Sequence, residues 1–242
     1  MAAPSPPLLV VTFCYNERIK IASTLERFCG HPQWDVWVMD DGSTDGSTDT
    51  LEQTHGVRII RHDRNRGAGA AVRTVFEEFV RSPYQVVVLV AGNDKDRPED
   101  VMRAATPVLT GERDVVQGSR YLPGGEIANI PVYRQLATRY VHPMIFNVVS
   151  GLRMTDTTNG FRAIHRRVLE DPRLDLSSPR LDQYDLEPFF LLKTARLGYR
   201  LAEVPVRKIY PRGNLSYTKM APVTGWWSIL RPLIYCGLGI WK

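Results

Sequence analysis

The chain of 242 residues is long enough for one large domain, and 43% hydrophobic against 24% charged residues is an ordinary globular balance. This composition excludes a disordered or fibrous protein, and no stretch reaches the ~18 consecutive apolar residues of a membrane span. The net charge of +5 suits an anionic ligand, an acidic membrane surface or a merely solvated basic surface, because it is not gathered in one run.

Nucleic acid is not an expected partner, since the chain has no Lys/Arg block with interleaved aromatics. Cys14, Cys29 and Cys236 have no metal-ligand spacing and make no even framework, which fits a reduced, cytoplasmic compartment. Residues 1–7 lack a basic start and run into an apolar strand, so they do not read as a secretory signal. A soluble protein, or one peripheral on the inner membrane face, is expected.

In chain order, Leu8 to Phe13 reads as a buried strand, and Asn16-Glu17 opens a helix that closes near Gly30. Trp34 to Met39 is a second strand, stopped by Asp40-Asp41-Gly42-Ser43. Ser43, Thr44 or Asp45 is suited to cap the next helix. Val57 to Ile60 is a third strand, Gly67 to about Arg81 a helix, and Gln85 to Val90 a fourth strand. This alternation predicts a doubly wound parallel sheet whose ligands lie beyond the carboxyl ends of its strands. The second half is less regular. Strands are expected at Asp114–Gly118, Phe161–Ile164 and Leu201–Val206, and helices at Arg134–Val149 and Leu186–Leu197. No repeat or linker divides the chain. We read one domain over 1–242, with a nucleotide-binding half (1–100), an acceptor-binding half (101–219) and a membrane-interface segment (220–242).

Tyr15 and Glu17 end the first strand, and Asp40 and Asp41 end the second. Two such turns side by side can grip a nucleoside, the ring stacking on an aromatic while a carboxylate accepts base N–H groups. Asp-Gly-Ser is also a common turn, with no ligand implied.

Six segments in order, however, resemble the family 2 glycosyltransferases of the GT-A fold. They are Val11–Glu17, Val38–Asp45, Asn65-Arg66-Gly67, Gly118–Tyr121, Asp156–Arg162 and Gly198-Tyr199-Arg200 with Glu203–Val206. The dolichol- and polyprenyl-phosphate sugar synthases are the most similar branch, and the resemblance runs from about Leu8 to Lys219. It implies an α/β, GT-A type fold, Rossmann-like and mostly parallel, with an acceptor-side extension and a C-terminal amphipathic segment. It implies inverting transfer of a sugar from a nucleoside-diphosphate sugar to a polyprenyl-phosphate acceptor, with a soluble glycan or other hydroxyl as the alternative. It assigns Tyr15, Glu17 and Asp40 to base and ribose, Asp41 to the ribose or diphosphate, and Gly67 to a helix N-terminus facing the nucleotide. The family usually has Pro-Thr where this chain has Phe13-Cys14.

A larger departure follows the fourth strand. The family's Asp-x-Asp holds a divalent cation, Mg or Mn, against the donor diphosphate. Here the segment reads Ala91-Gly92-Asn93-Asp94-Lys95-Asp96. Three readings stand: a metal retained through Asn93 with Asp94 or Asp96, a leaving diphosphate stabilised by Lys95 instead, or an inactive nucleotide-sugar-binding protein on an intact fold.

In the lipid-phosphate branch, arginines at the positions of Arg120 and Arg134 bind the acceptor phosphate, whose geometry matches a guanidinium fork. A surface arginine paired with an acid is the plainer alternative. Asp156 is the candidate carboxylate beside the acceptor, as general base or orienting group, or else a cap on the Thr157-Thr158 turn. Asp185 and Glu187 either orient the acceptor or brace Arg162. Lys219, in the loop Arg212–Lys219, resembles a cation that closes over the diphosphate. Trp226 to Lys242 mixes tryptophan, aliphatic and basic residues, and reads either as an interfacial helix, kinked at Pro232, or as a helix docked on the core.

Overall fold

The computed structural model describes residues 8–210 and 224–241. The apolar runs of the first half form β1 (Leu8–Cys14), β2 (Asp35–Asp40), β3 (Arg58–Arg61) and β4 (Val86–Ala91). Between and after them lie α1 (Arg18–Phe28), α2 (Leu51–His55), α3 (Ala68–Val80) and α4 (Glu99–Leu109). No helix was expected at α4, whose apolar face is interrupted by Pro107 and preceded by Pro98.

The second half contains β5 (Val115–Ser119), β6 (Glu126–Ala128), α5 (Val132–Leu136), a π-helical turn (Ala137–Val141) and α6 (His142–Ser150). Then come β7 (Arg162–His165), α7 (Arg166–Leu169), α8 (Leu186–Arg196), β8 (Leu201–Pro205), β9 (Arg207–Ile209) and α9 (Thr224–Gly237). Seven strands make one sheet in the order β3-β2-β1-β4-β7-β5-β8, and β6 pairs with β9 apart from it. The sheet is parallel, as expected, except at β7, which runs against both β4 and β5.

That reversal positions the site. Arg162 begins β7 opposite Leu89 and Gln117, near the carboxyl ends of their strands. The loop before it, Asp156 to Phe161, therefore sits at the same sheet edge as the turns after β1, β2 and β4. Both faces of the sheet are covered. In β1, Leu9 and Val11 point into one buried cluster while Leu8 and Val10 point into the other. A central strand must therefore be apolar throughout, and the β1 run shows it.

The Ser43–Asp45 segment does not cap α2, which begins later, at Leu51. It ties two strand ends together instead. Asn16 N donates to Ser43 Oγ (3.0 Å), Thr44 N to Asn16 Oδ1 (2.8 Å), and Ser43 N to Asp40 Oδ1 (2.8 Å).

The C-terminal helix is docked. Ile229, Leu233 and Cys236 of α9 are buried, and Arg231 forms an ion pair with Asp185 at the start of α8. Helix α9 continues through Pro232, where a kink was expected. Among the described residues, no helix is long and apolar enough to cross a membrane. His142 joins three parts of this region. Its Nδ1 lies 2.6 Å from Thr157 Oγ1 in the loop before β7, and its Nε2 lies 3.1 Å from the Ile229 carbonyl of α9.

Burial pushes the His142 imidazole down to about 4, with the Ile229 carbonyl and Asp156 pulling the other way. The folded state thus binds fewer protons here than the unfolded chain below the ordinary value of 6.5. The resulting stability is complete above pH 6.5 and is lost as pH falls towards 4. Urea unfolding across this range should show a loss in the native protein that His142→Gln reduces by roughly 2–3 kcal/mol, at about 1.4 kcal/mol per pKa unit. Equal pH dependence in the two proteins would remove His142 as its source.

Candidate active site

At the carboxyl ends of β1, β2 and β4 lies a cavity of about 520 Å³, a volume suited to a nucleotide-sized ligand. Tyr15, Glu17, Asp41 and Gly67 line one side; Lys95, Arg120, Arg134 and Lys208 line the other. Four cationic side chains thus face the space where a parallel sheet presents its ligands.

The nucleotide-side turns are held by carboxylates that the sequence suggests as ligands. Asp40 is fully buried and is not on the cavity wall. It accepts from Ser43 N and Thr48 Oγ1 and meets Arg61 Nε at 3.1 Å, so the carboxylate expected at the base and ribose braces the turn from inside. Asp41 does reach the wall, but its oxygens accept from Arg66 N and Gly67 N, each at 2.9 Å, and from His62 Nδ1 at 2.7 Å. These contacts consume N–H groups that the helix-terminus reading assigned to a nucleotide.

Gly67 is required for a different reason. Its φ is +105°, and a Cβ there would lie 2.4 Å from the Asp182 carbonyl oxygen. The start of α3 packs on the segment before α8, and Ala70 N donates to Asp182 O (3.0 Å). Of the expected nucleotide residues, Tyr15 and Glu17 keep positions on the wall, and Glu17 pairs with Lys20 at 2.7 Å.

The segment after β4 differs from a metal site. Ala91 has no side-chain oxygen to ligate a metal, and its N–H donates to Asp96 Oδ2 (2.7 Å). A Cβ on Gly92 would lie 2.1 Å from the Phe13 carbonyl oxygen, so the chain passes tightly over the end of β1. Asn93 lines the cavity and its Oδ1 is buried with no hydrogen-bond partner among the described residues. Asp94, expected as a metal ligand, has a left-handed φ of +62° and pairs with Arg27 of α1. Asp96, the other expected carboxylate, is buried with Lys208 Nζ 2.9 Å from its Oδ1, a charge contact off the line of a regular hydrogen bond. Among the described residues, no three His, Cys, Asp or Glu side chains form a group that could hold a metal. One neutral amide oxygen, in a cavity also lined by Lys95 and Lys208, does not fit a hard divalent cation.

Lys95 is 2% exposed, and its Nζ lies 4.2 Å from the centre of the Tyr210 ring. Burial, then the charges of Lys208 and Arg134, push it down to about 7. Lys208 donates to Asn159 Oδ1 at 3.0 Å. Neither Lys208 nor Tyr210 was expected at the site. Their only signal was the alternation Arg207-Lys208-Ile209-Tyr210, too short to distinguish a strand from a basic loop.

On the acceptor side, Arg120 and Asp156 form a bidentate pair, Nε to Oδ2 at 2.6 Å and Nη2 to Oδ1 at 2.7 Å. Arg120 N also donates to Asp156 Oδ2 (3.1 Å). Asp156 is fully buried and off the cavity wall, so it is not positioned as a general base for a hydroxyl. Glu203 completes the support by accepting from Asp156 N (2.8 Å) and Thr155 N (2.7 Å). Arg120 borders the cavity with its fork already engaged, whereas Arg134, on α5, lines it from another element. Glu187 lines the cavity 3.8 Å from the fully buried Arg162, while Asp185 belongs to the α9 anchor. Lys219 lies outside the described residues.

Comparison with known proteins decides the family, because residues 9–172 match glycosyl transferase family 2. The chain belongs to that family, and it is a glycosyltransferase. The undecaprenyl-phosphate mannosyltransferase of Micrococcus luteus is 30% identical, over 88% of this chain and 87% of that protein. The polyprenol monophosphomannose synthase of Mycolicibacterium smegmatis is 30% identical, over 90% of this chain and 82% of that one. Among solved structures, glucosyl-3-phosphoglycerate synthase from Mycobacterium tuberculosis, in complex with Mn2+ and UDP-glucose, aligns with a TM-score of 0.66 at 20% identity. That alignment covers 96% of this chain and 78% of the other, and supports the GT-A fold.

In this glycosyltransferase the Arg120–Asp156 pair should act first on folding. Removing either partner leaves a buried charge, so Arg120→Ala and Asp156→Ala should each cost about 3–5 kcal/mol in urea unfolding. A loss below about 1 kcal/mol, the range of exposed ion pairs, would contradict the buried hub.

Proposed function

We propose that the glycosyltransferase moves a sugar from a nucleoside-diphosphate sugar to a polyprenyl phosphate at an anionic membrane surface. The observation that carries this reading is the cationic wall of Lys95, Lys208, Arg134 and Arg120 at the strand ends. Transfer to a phosphate brings together two anions, a donor diphosphate and an acceptor phosphate, and their repulsion must be offset by fixed positive charge. In the reaction, an acceptor phosphate oxygen forms a bond to the anomeric carbon while the bond from that carbon to the β-phosphate oxygen breaks. The electron pair passes to the departing diphosphate, and one displacement inverts the configuration.

An ionised phosphate needs no general base, in keeping with the engagement of Asp156 by Arg120. A hydroxyl acceptor would need one. The names of the two curated relatives, a mannosyltransferase and a monophosphomannose synthase acting on polyprenyl phosphates, support the same acceptor class.

The membrane part rests on the outer faces of the helices that bound the cavity. Arg134, His142 and Ile229 face inward. On the other side of α5, the π turn, α6 and α9, the side chains of Tyr133, Leu136, Tyr140, Met144, Val148 and Trp227 are exposed. From Ile127 to Thr155 the chain has no Asp or Glu but carries Arg134, Arg139 and Arg153; from Val204 to Lys242 it again has no acid. Exposed apolar and aromatic residues with basic ones and no acids match the headgroup region of an anionic bilayer. Helix α9, docked on the core through Ile229, Leu233 and Cys236, would add Trp227 to this surface, while the larger apolar face belongs to α5 and α6.

Two measurements test this reading. With UDP- and GDP-sugars, labelled sugar should appear on a polyprenyl phosphate but not on the free polyprenol. Arg134→Ala should slow transfer by about tenfold or more, on the scale of a lost charged hydrogen bond, with donor affinity nearly kept. Product on a glycan hydroxyl and none on lipid phosphate would transfer the role to the alternative acceptor; no product with any donor would favour a binding protein. Sedimentation should show association with phosphatidylglycerol vesicles and little with phosphatidylcholine, weakened by Tyr140→Glu with Met144→Glu. Equal recovery of both proteins with both vesicles would contradict the surface.

A further inference from the structure

We infer that Lys95 and Lys208 together take the place of the family's divalent cation, binding the donor diphosphate directly through two ammonium groups. This rests on the nucleoside-diphosphate donor proposed above. The segment after β4 keeps the position of a metal motif but has lost its chemistry. Ala91 cannot ligate, and Asn93 offers one neutral oxygen. The two nearby carboxylates are drawn elsewhere, Asp94 to Arg27 and Asp96 to the Ala91 N–H and Lys208.

The positive charge has been supplied by the chain itself. Lys95 and Lys208 are both nearly buried and both line the cavity, on two segments tied together where Ile209 N meets the Lys95 carbonyl at 3.3 Å. Lys208 is fixed from two sides, by Asp96 and by Asn159 Oδ1. Lys95 is fixed by the face of Tyr210.

Burial and the charges of Lys208 and Arg134 push Lys95 down to about 7, so its ammonium form is costly in this largely water-excluded place. An arriving anion favours that form beside Lys208, whereas an entering divalent cation would oppose it. A diphosphate has the opposite effect. It brings negative charge and oxygens to both lysines, while the buried Asn93 Oδ1 is placed for a hydroxyl of the donor. As the sugar leaves, charge grows on the β-phosphate oxygen, and fixed ammonium groups meet it without rearrangement.

Calorimetry of UDP and GDP binding to the whole protein, once in EDTA and once in Mn2+, tests the inference. The nucleotide that binds should do so equally under both conditions. Lys95→Met should weaken it by about tenfold or more, as loss of a charged hydrogen bond predicts, and Lys95→Arg should restore most of the affinity. Lys208→Met leaves Asp96 without its partner, so its melting temperature is recorded beside its affinity; the EDTA comparison on the native protein does not depend on that variant. Binding that appears only with Mn2+, or Lys95→Met binding like the native protein, would overturn the lysine site and leave the donor reading intact. Binding of neither nucleotide under either condition would overturn both.

Discussion

Arg120 and Asp156 are two opposite charges removed from water, and neither can stay buried without the other. Their pairing joins the end of β5 to the loop that precedes β7. Glu203 of β8 holds the backbone of that loop from the other side, and His142 holds it through Thr157. The loop's neighbour Asn159 in turn accepts from Lys208. One ion pair therefore fixes, through short links, the helix that carries Arg134, the strand end that carries Arg120 and the lysine on β9. A salt bridge in such a position contributes geometry more than net stability. Its partners hold in place the cations proposed to bind, and Arg120 is first a positioning residue in that sense.

Around this hub the carboxylates are used mainly inside the fold. Asp40, Asp41, Asp96 and Asp156 accept from the backbone or from basic side chains and stiffen the turns. The cations they leave facing the cavity define what it attracts. Negative charge spent inside the fold becomes positive character on the wall, which is the field a diphosphate and a lipid phosphate require. The same economy of acids continues on the outer surface between Ile127 and Thr155, where the helices bounding the cavity would meet an anionic bilayer.

Much of the fold was legible because both faces of the central strands are buried. Runs such as Leu8–Phe13 and Gln85–Val90 can scarcely be anything else, and their alternation with helices fixed a mostly parallel sheet. The reversed strand β7 was not legible, since direction depends on where the 151–161 loop re-enters the sheet and leaves no mark in the sequence pattern. The site was legible as a set of segments, and less so as a set of roles. Asp40 and Asp41 are adjacent and chemically identical, yet one is internal and the other reaches the wall; Asp94 and Asp96 turn to Arg27 and Lys208, partners remote in sequence. A turn carboxylate looks the same whether it receives a ligand or a backbone N–H. A lysine in a three-residue strand carries no periodic signal, so nothing in the sequence marks Lys208.

In the proposed reaction the cavity holds two anions at once, a nucleoside diphosphate and a lipid phosphate, on separate cationic groups. Phosphorus NMR of the protein with UDP or GDP and a short-chain, water-soluble polyprenyl phosphate measures this directly, because the resonances are distinct. With two separate sites, the lipid phosphate resonance should shift or broaden on binding and stay so when saturating nucleotide is added. Return of that resonance to its free position as nucleotide binds would mean a single shared anion site and would rule out simultaneous binding.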